Sequence, residues 1–294
     1  MAENTRELKR RMRSIESTEH ITNAMRLVSA AKFRKAKSLF DQKSLQLREV
    51  TETMELLLAG QNVSEREKPC EAASSAAAER VLAIVICGDR GLCGGFNSNL
   101  IKTAGEALRE YKKEAVKLVC IGSRGRDFFA REGYAIDDAF TGAAEKISFS
   151  EIVKIVTSIL ADYRSGRVDS VLLITTEYIN SLRQEPVVKQ LLPAEFARAS
   201  KKEEAQAVPA ELEYAPSKEA VTDYLLPKYL ELTLLEAFLE SAVCEHATRR
   251  GAMESATDNA REILNRLSLT YHRARQEAIT NELIEIVSGA ETRE

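Results

Sequence analysis

The sequence predicts a central, mostly parallel α/β domain carried between two long terminal helices that pair antiparallel as a coiled coil. Three observations lead there. Residues 1–59 contain neither Gly nor Pro, and Gly60 is the first breaker. Residues 80–195 alternate short β-branched runs with helical stretches. From Lys228 to Ser288 the single breaker is Gly251.

Ala, Leu, Met, Glu, Lys, Gln and Arg fill most of residues 1–59, so a helix is expected from about residue 4 to 57, roughly 80 Å long. A helix of that length has no room inside a small domain and must lie against another long element. Residues 60–79 have almost no large apolar side chain and read as a linker. Val81-Leu-Ala-Ile-Val-Ile-Cys87 and Lys117-Leu-Val-Cys-Ile121 are apolar runs of the kind buried on both faces of a sheet. Helices are expected near 96–113, 124–131 and 149–163, with a weak strand around 135–140. Ser170-Val-Leu-Leu-Ile-Thr-Thr176 is a further strand, and Pro186–Leu192 an edge strand. Strands alternating with helices make 80–195 a Rossmann-like domain with helices on both faces of its sheet.

Residues 196–216 form a charged loop or foot. The last helix takes 217–294, with Ser217 as its N-cap. Pro227 should kink or restart it, and Gly289 should stop it.

The bulk numbers narrow the function classes. The chain has 294 residues, 44% hydrophobic, 30% charged and 6% aromatic with no Trp, a balance that suits long solvated helices. A net charge of −3 gives no field directed at nucleic acid. Residues 1–50 nevertheless hold twelve Lys/Arg against six Asp/Glu, a basic end that suits an acidic partner or is simply a solvated helix face. Five cysteines, an odd number without a Cys-x-x-Cys pair, argue against a disulfide framework and for a reducing compartment. No run of about 18 apolar residues exists to span a bilayer, and the first residues lack the apolar core of a secretion signal.

The end helices offer matching stripes at spacing three and four. Met253, Ala256, Ala260, Ile263, Leu267, Thr270 and Ala274 form one, and Leu8, Ile15, Thr22 and Met25 the other, with Met12 beside it. Small and polar residues occupy positions where Leu or Ile would bury more area, at a loss on the order of 1 kcal/mol each. Leu27, Val28, Phe33, Ile279, Leu283, Ile286 and Val287 lie off the stripes. Apolar side chains on several faces of a helix pair call for burial in a partner, or in a homodimer.

Signs of chemistry are weak. Gly88-Asp-Arg-Gly-Leu-Cys-Gly-Gly95 follows a strand as phosphate-binding turns do, but fits neither Gly-x-Gly-x-x-Gly nor a P-loop, and glycines making tight turns account for it. His20, His246 and His272 are not at metal-ligand spacing and read as helix-surface or interface residues. Cys93, without a nearby His, reads as a small packed side chain. His272, Arg273 and Arg275 suit a phosphate or an ordinary polar helix face equally. No catalytic constellation, metal site or cofactor site emerges.

Ile21-Thr-Asn-Ala-Met-Arg-Leu-Val-Ser-Ala-Ala-Lys-Phe-Arg-Lys-Ala36 and Ala274-Arg-Gln-Ala-Ile-Thr-Asn-Glu-Leu-Ile-Glu-Ile-Val-Ser-Gly289 resemble the end helices of the γ subunits of F-type ATP synthases. Ala256-Thr-Asp-Asn-Ala260 and Asp89-Arg-Gly-Leu-Cys-Gly-Gly-Phe-Asn97 match that family as well. The resemblance covers nearly the whole chain. It implies a non-catalytic rotor shaft, or central stalk, standing inside a ring of α and β subunits. It also implies that ε and the membrane rotor ring of c subunits hold its lower end, on the cytoplasmic face of the plasma membrane. By the same resemblance Met25, Arg26, Arg275, Gln276, Thr280 and Glu282 map to contacts with the β subunits, and Glu213 and Tyr214 to the foot near the ring. The family's β subunits present an acidic loop, which agrees with the basic end. The domain carries no long cysteine-bearing insertion of the plant type, and no transit peptide precedes the first helix, so a bacterial type is implied. Two other readings stay open: a nucleotide-binding enzyme dimerised through its helices, and a coiled-coil adaptor.

Overall fold

The computed structural model describes residues 2–58, 80–142, 147–193 and 218–291. The first helix, α1, spans Ala2–Leu58. It is followed by β1 (Val81–Ile86), α2 (Phe96–Leu108), a 3-10 turn at Lys113–Ala115, β2 (Val116–Ile121), α3 (Ser123–Arg131), β3 (Ala135–Phe140), α4 (Phe149–Arg164), β4 (Ser170–Tyr178), β5 (Gln184–Leu192) and α5 (Lys218–Glu291). The chain divides into two compact units, residues 1–31 with 249–294, and residues 32–248. The sequence-based linker at 60–79 and the whole charged loop at 196–216, with the Ser217 cap, lie outside the described residues.

In the 32–248 unit the sheet order is β3-β2-β1-β4-β5. β1 runs parallel to both β2 (Val81 beside Val116) and β4 (Val81 beside Ser170). β3 is parallel to β2, and β5 closes the other edge antiparallel to β4. Every residue of β1 is buried, because helices cover both faces of the sheet. Alternation along the strand sorts the core into two layers. Val81, Ala83, Val85 and Cys87 face Leu100, Ala104 and Leu108 of α2 and Phe129 of α3. Leu82, Ile84 and Ile86 face Ile152, Ile155, Ile159 and Tyr163 of α4 together with Leu226, Leu230, Leu234 and Phe238 of α5.

That second layer explains a departure from the sequence reading. Pro227 does not restart the last helix; α5 runs as one element from Lys218 through Pro227. A proline inside a helix costs about 3 kcal/mol. Leu226, Leu230 and Leu234 are all essentially inaccessible in the core, and each contributes about 1.5–3 kcal/mol on burial, enough to hold the helix across the missing hydrogen bond. Gly289 does not end the helix either, which continues to Glu291.

Candidate functional site

In the unit made of residues 1–31 and 249–294 the two long helices pair antiparallel. Arg261 Nε donates to Glu19 Oε1 at 3.0 Å, and Thr257 donates to the Thr22 hydroxyl at 2.9 Å, so the partner number falls on α5 as it rises on α1. Covered positions on α1 are Thr5, Leu8, Met12, Ile15, Glu19, Thr22, Arg26 and Ser29, an unbroken three-four alternation. On α5 they are Met253, Thr257, Ala260, Leu264, Leu267, Tyr271, Ala274 and Ala278.

This corrects the expected seam at alternate positions. Met253, Ala260, Leu267 and Ala274 are on it as predicted, and Ala256 lies half-buried at its flank, but Ile263 and Thr270 are exposed and their neighbours Leu264 and Tyr271 turn inward. Spacings of three and four both keep a residue on one helix face, and with Ile263 and Leu264 adjacent and both apolar the pattern fits either phase. Met12 is part of the α1 stripe rather than beside it, and Glu19 and Arg26 occupy stripe positions that apolar periodicity could not find. The signal for Glu19 was Arg261, an opposite charge at the level where the two helices face each other.

The residues expected to contact β subunits fall at two levels. Met25 is half-buried, and Arg26 bonds Asn23 Oδ1 through Nε (3.3 Å) and Nη2 (2.9 Å). Arg275, Gln276, Thr280 and Glu282 are all exposed on α5. The Glu19–Arg261 and Thr22–Thr257 pairs put Met25 opposite about residue 254, roughly 30 Å along α5 from Arg275. The structure therefore gathers Arg275, Gln276, Thr280 and Glu282 into one exposed stretch, and keeps Met25 and Arg26 apart from it. Glu213 and Tyr214 lie outside the described residues.

Large apolar side chains remain uncovered around the pair. Leu27 and Val28 are each 55% exposed, Ile263 41%, Leu269 63%, Ile279 45% and Leu283 58%. Of the residues predicted off the stripes, Phe33 differs: it is half-buried, with its ring 6.1 Å from that of Tyr178 within the 32–248 unit. The side chains of Ile286 and Val287 lie outside the described residues.

The carboxyl ends of β1 and β4, where strand order reverses, are the place at which doubly wound sheets bind nucleotides. Here that crevice is filled from within. The Asp89 carboxylate accepts from Ser123 N at the start of α3 (2.9 Å) and from Gly142 N (3.0 Å), the position an anionic ligand would take. Asn97 Oδ1 accepts from Gly88 N (2.9 Å), and its amide nitrogen donates to Arg90 O (3.1 Å). Glu245 of α5 lies so close to Gly88 that an added Cβ would meet its carboxylate at 3.0 Å. Gly122, at φ +100°, brings its backbone against Cys87 O, where a Cβ would stand only 2.1 Å away. Cys93 and Phe96 pack against Cys244 of α5 and Tyr178, and Cys244 Sγ donates to Thr176 O (3.5 Å).

Burial sets the chemistry of the titratable groups. Desolvation pushes the Cys87 and Cys244 thiols well up and the Cys120 thiol up to about 12, so all three are inert packing residues. Glu236 and Glu240 of α5 are raised as well, chiefly by desolvation, with Lys189 opposing. The Glu240 carboxylate accepts from Tyr178 N at 2.9 Å. His20 and His272 are exposed, whereas His246 is buried on α5. Among the described residues no cluster of His, Cys, Asp and Glu is suited to a metal ion.

A family model described as ATP synthase matches residues 4–292. The chain is 41% identical over 288 residues to the ATP synthase gamma chain of Heliobacterium modesticaldum, covering 97% of each. It is 40% identical over 285 residues to that of Pelotomaculum thermopropionicum, again covering 97% of each. Among solved structures it is similar to a chain of the Euglena gracilis mitochondrial ATP synthase rotor, with TM-score 0.66 and 18% identity over 95% of this chain and 100% of that one. A chain of the Tetrahymena thermophila mitochondrial central stalk and c-ring gives TM-score 0.61 and 21% identity, over 80% of this chain and 99% of that one.

Proposed function

The chain belongs to the ATP synthase gamma chain family, and from that membership we propose that it is the central rotor shaft of a rotary ATP synthase, carrying torque between a membrane ring of c subunits and a hexamer of α and β subunits. It is not itself a catalyst: ATP and Mg2+ belong to the β subunits. The observation that carries this reading is the set of uncovered apolar side chains spread along the paired helices, Leu27, Val28, Leu269 and Leu283 among them. These call for a surrounding partner. Lys9, Arg10, Arg11, Arg13, Arg34 and Lys35, all exposed on α1, suit acidic loops on that partner.

Different faces of the helix pair carry different side chains, so each β subunit meets a different surface as the shaft turns. Unequal contacts give the shaft differential affinity for open and closed β conformations, which is what shifting them requires. Met25 and Arg26 serve one level of contact, and Arg275, Gln276, Thr280 and Glu282 a second. The 196–216 segment with Glu213 and Tyr214 serves as the foot on the ring, beside ε. No helix among the described residues is long and apolar enough to cross a membrane, and the chain works at the cytoplasmic face through its partners, with protons or sodium ions carried by the ring.

The test is to reconstitute α and β with this chain and follow a probe fixed to its α/β domain. ATP-driven rotation is expected; its absence removes the rotor reading. Replacing Arg275 and Gln276 by Ala should lower coupled ATP synthesis while leaving the unfolding free energy of the chain within about 0.5 kcal/mol of wild type, as for exposed surface positions. Equal loss of both would make the pair merely structural. The enzyme reading is disfavoured by the filled crevice at Asp89 and Asn97, and equilibrium dialysis showing ATP or NAD bound to the isolated chain would revive it.

A further inference from the structure

Tyr178, the last residue of β4, touches both long helices at once. Its backbone N–H donates to Glu240 of α5 (2.9 Å). Its ring packs into the cluster of Cys93, Phe96 and Cys244. The ring also meets α1: Phe33 lies 6.1 Å away between centroids, and Lys37 Nζ stands 5.1 Å over the ring. Lys37 also lies 5.3 Å from the Phe40 ring and is paired with Asp41. Positions 33, 37 and 40 form one stripe of α1. The Tyr178 hydroxyl lies 3.1 Å from Ser181 Oγ in the turn that follows, which fixes the ring's orientation.

We propose that Tyr178 is a positioning residue that keys α1 to the sheet, so that the α/β domain and both long helices turn without slipping past one another. The inference rests on the shaft reading above. A helix lying on a smooth apolar surface can roll about its axis, because hydrophobic contact is non-directional. A ring in contact with both an aromatic and a cation on one helix stripe resists rolling, because the tilt of the ring pair and the cation's place over the ring are both directional. The hydrogen bond to α5 is made by the Tyr178 backbone, whereas every contact with α1 is made by its side chain. A side-chain substitution therefore removes the contacts with α1, thins the packing on Cys244 and leaves the hydrogen bond to Glu240 in place.

The test uses the whole membrane-bound complex carrying Tyr178→Ala, Tyr178→Phe, Phe33→Ala or Lys37→Met. Losing a ring pair and a cation–π contact together raises the undocked population of this α1 stretch by about tenfold. For Tyr178→Ala, ATP hydrolysis should stay within about twofold of wild type while ions pumped per ATP fall by about threefold or more, and the angular spread of a probe on the α/β domain should widen. Tyr178→Phe keeps the ring and its contacts with Phe33 and Lys37 and loses only the hydroxyl's bond to Ser181, so its defect should be much smaller than that of Tyr178→Ala. Phe33→Ala, which removes the ring pair but keeps the Lys37 contact, should give the Tyr178→Ala defect in weaker form, and the double variant should be no worse than Tyr178→Ala alone, because the Phe33 contact is made only through the Tyr178 ring. Lys37→Met, an exchange on a half-exposed side chain that should leave assembly intact, is expected to give the same defect in weaker form. Hydrolysis and pumping falling in parallel, unaltered pumping per ATP in both Tyr178→Ala and Lys37→Met, or additive losses in the double variant would each overturn the assignment. A wild-type complex that hydrolyses ATP with no rotation of the α/β domain would remove the shaft reading itself, and with it this role for Tyr178, whatever the variants do.

Discussion

Two stretches of the same helix bury very different surfaces. Leu226, Leu230 and Leu234 of α5 lie in the sheet core among Ile84, Ile159 and Leu173, whereas farther along Met253, Thr257 and Ala260 line the seam with α1. The first stretch is covered by branched side chains from the sheet and α4, as in any protein interior. The second offers small and hydroxyl side chains to its partner helix, and leaves Ile263 and Leu269 in the open. The difference teaches that the helix pair is not built to be self-sufficient. It keeps a narrow contact inside and reserves apolar surface for something outside, while the 32–248 unit closes its own core.

Truncation should separate the two stretches most clearly. Leu234→Ala is expected to cost about 2–5 kcal/mol in urea unfolding of the isolated chain, as large-to-small changes in a packed core do. Leu267→Ala, at a half-covered seam position, should cost about 1 kcal/mol, close to the loss of its partial burial alone. Comparable costs at the two sites would mean that the seam is packed as tightly as the core.

A smaller effect sharpens the contrast through pH. Glu236 has its folded-state pKa raised by desolvation on α5 beside the sheet. A carboxyl raised on folding binds its proton more tightly in the folded state, so stability falls as pH rises from the unfolded pKa through the folded one and stays lower above it. Glu236→Gln should therefore raise the urea midpoint at pH 7, and leave it nearly unchanged below the unfolded carboxylate pKa. Equal midpoints at pH 7 would show that the carboxylate is solvated in the folded chain. Glu151, lowered by its hydrogen bonds to Ser148 in the capping box of α4, has the opposite sign: its contribution is present above the unfolded pKa and is lost as pH falls through the folded one.

The smallest effect on folding is expected where the apolar side chains are bare. Val28→Ser and Leu269→Ser should each change the stability of the free chain by less than about 0.5 kcal/mol. Both should weaken its assembly with α and β subunits, measured as the concentration at which the complex forms. A large loss of free-chain stability would mean that these residues are covered within the chain itself.

Much of the architecture was legible because its signals are local. A stretch without Gly or Pro up to residue 59 has no cheap place to stop being a helix, and Val81–Ile86 has no polar side to turn to solvent. The five strands fall at the stretches marked as strands in the sequence, while the antiparallel direction of the edge strand β5 emerged only in the sheet. The contact residues were legible only as positions on helices. Periodicity states that Arg275 and Thr280 are on α5, but their distance from Met25 follows from which residue of α1 faces which residue of α5.

By itself the sequence determined the secondary structure, the order of its elements and the need for a partner around the end helices, since propensity, periodicity and uncovered apolar residues are all properties of short segments. Tertiary structure decided the phase of the seam, choosing Thr257, Leu264 and Tyr271 over their neighbours. It carried α5 intact through Pro227, filled the crevice with Asp89 and Glu245, and brought Tyr178 between Phe33 and Glu240. Each of these depends on a residue more than thirty positions away, and the free energy of such a contact is not written in either segment alone.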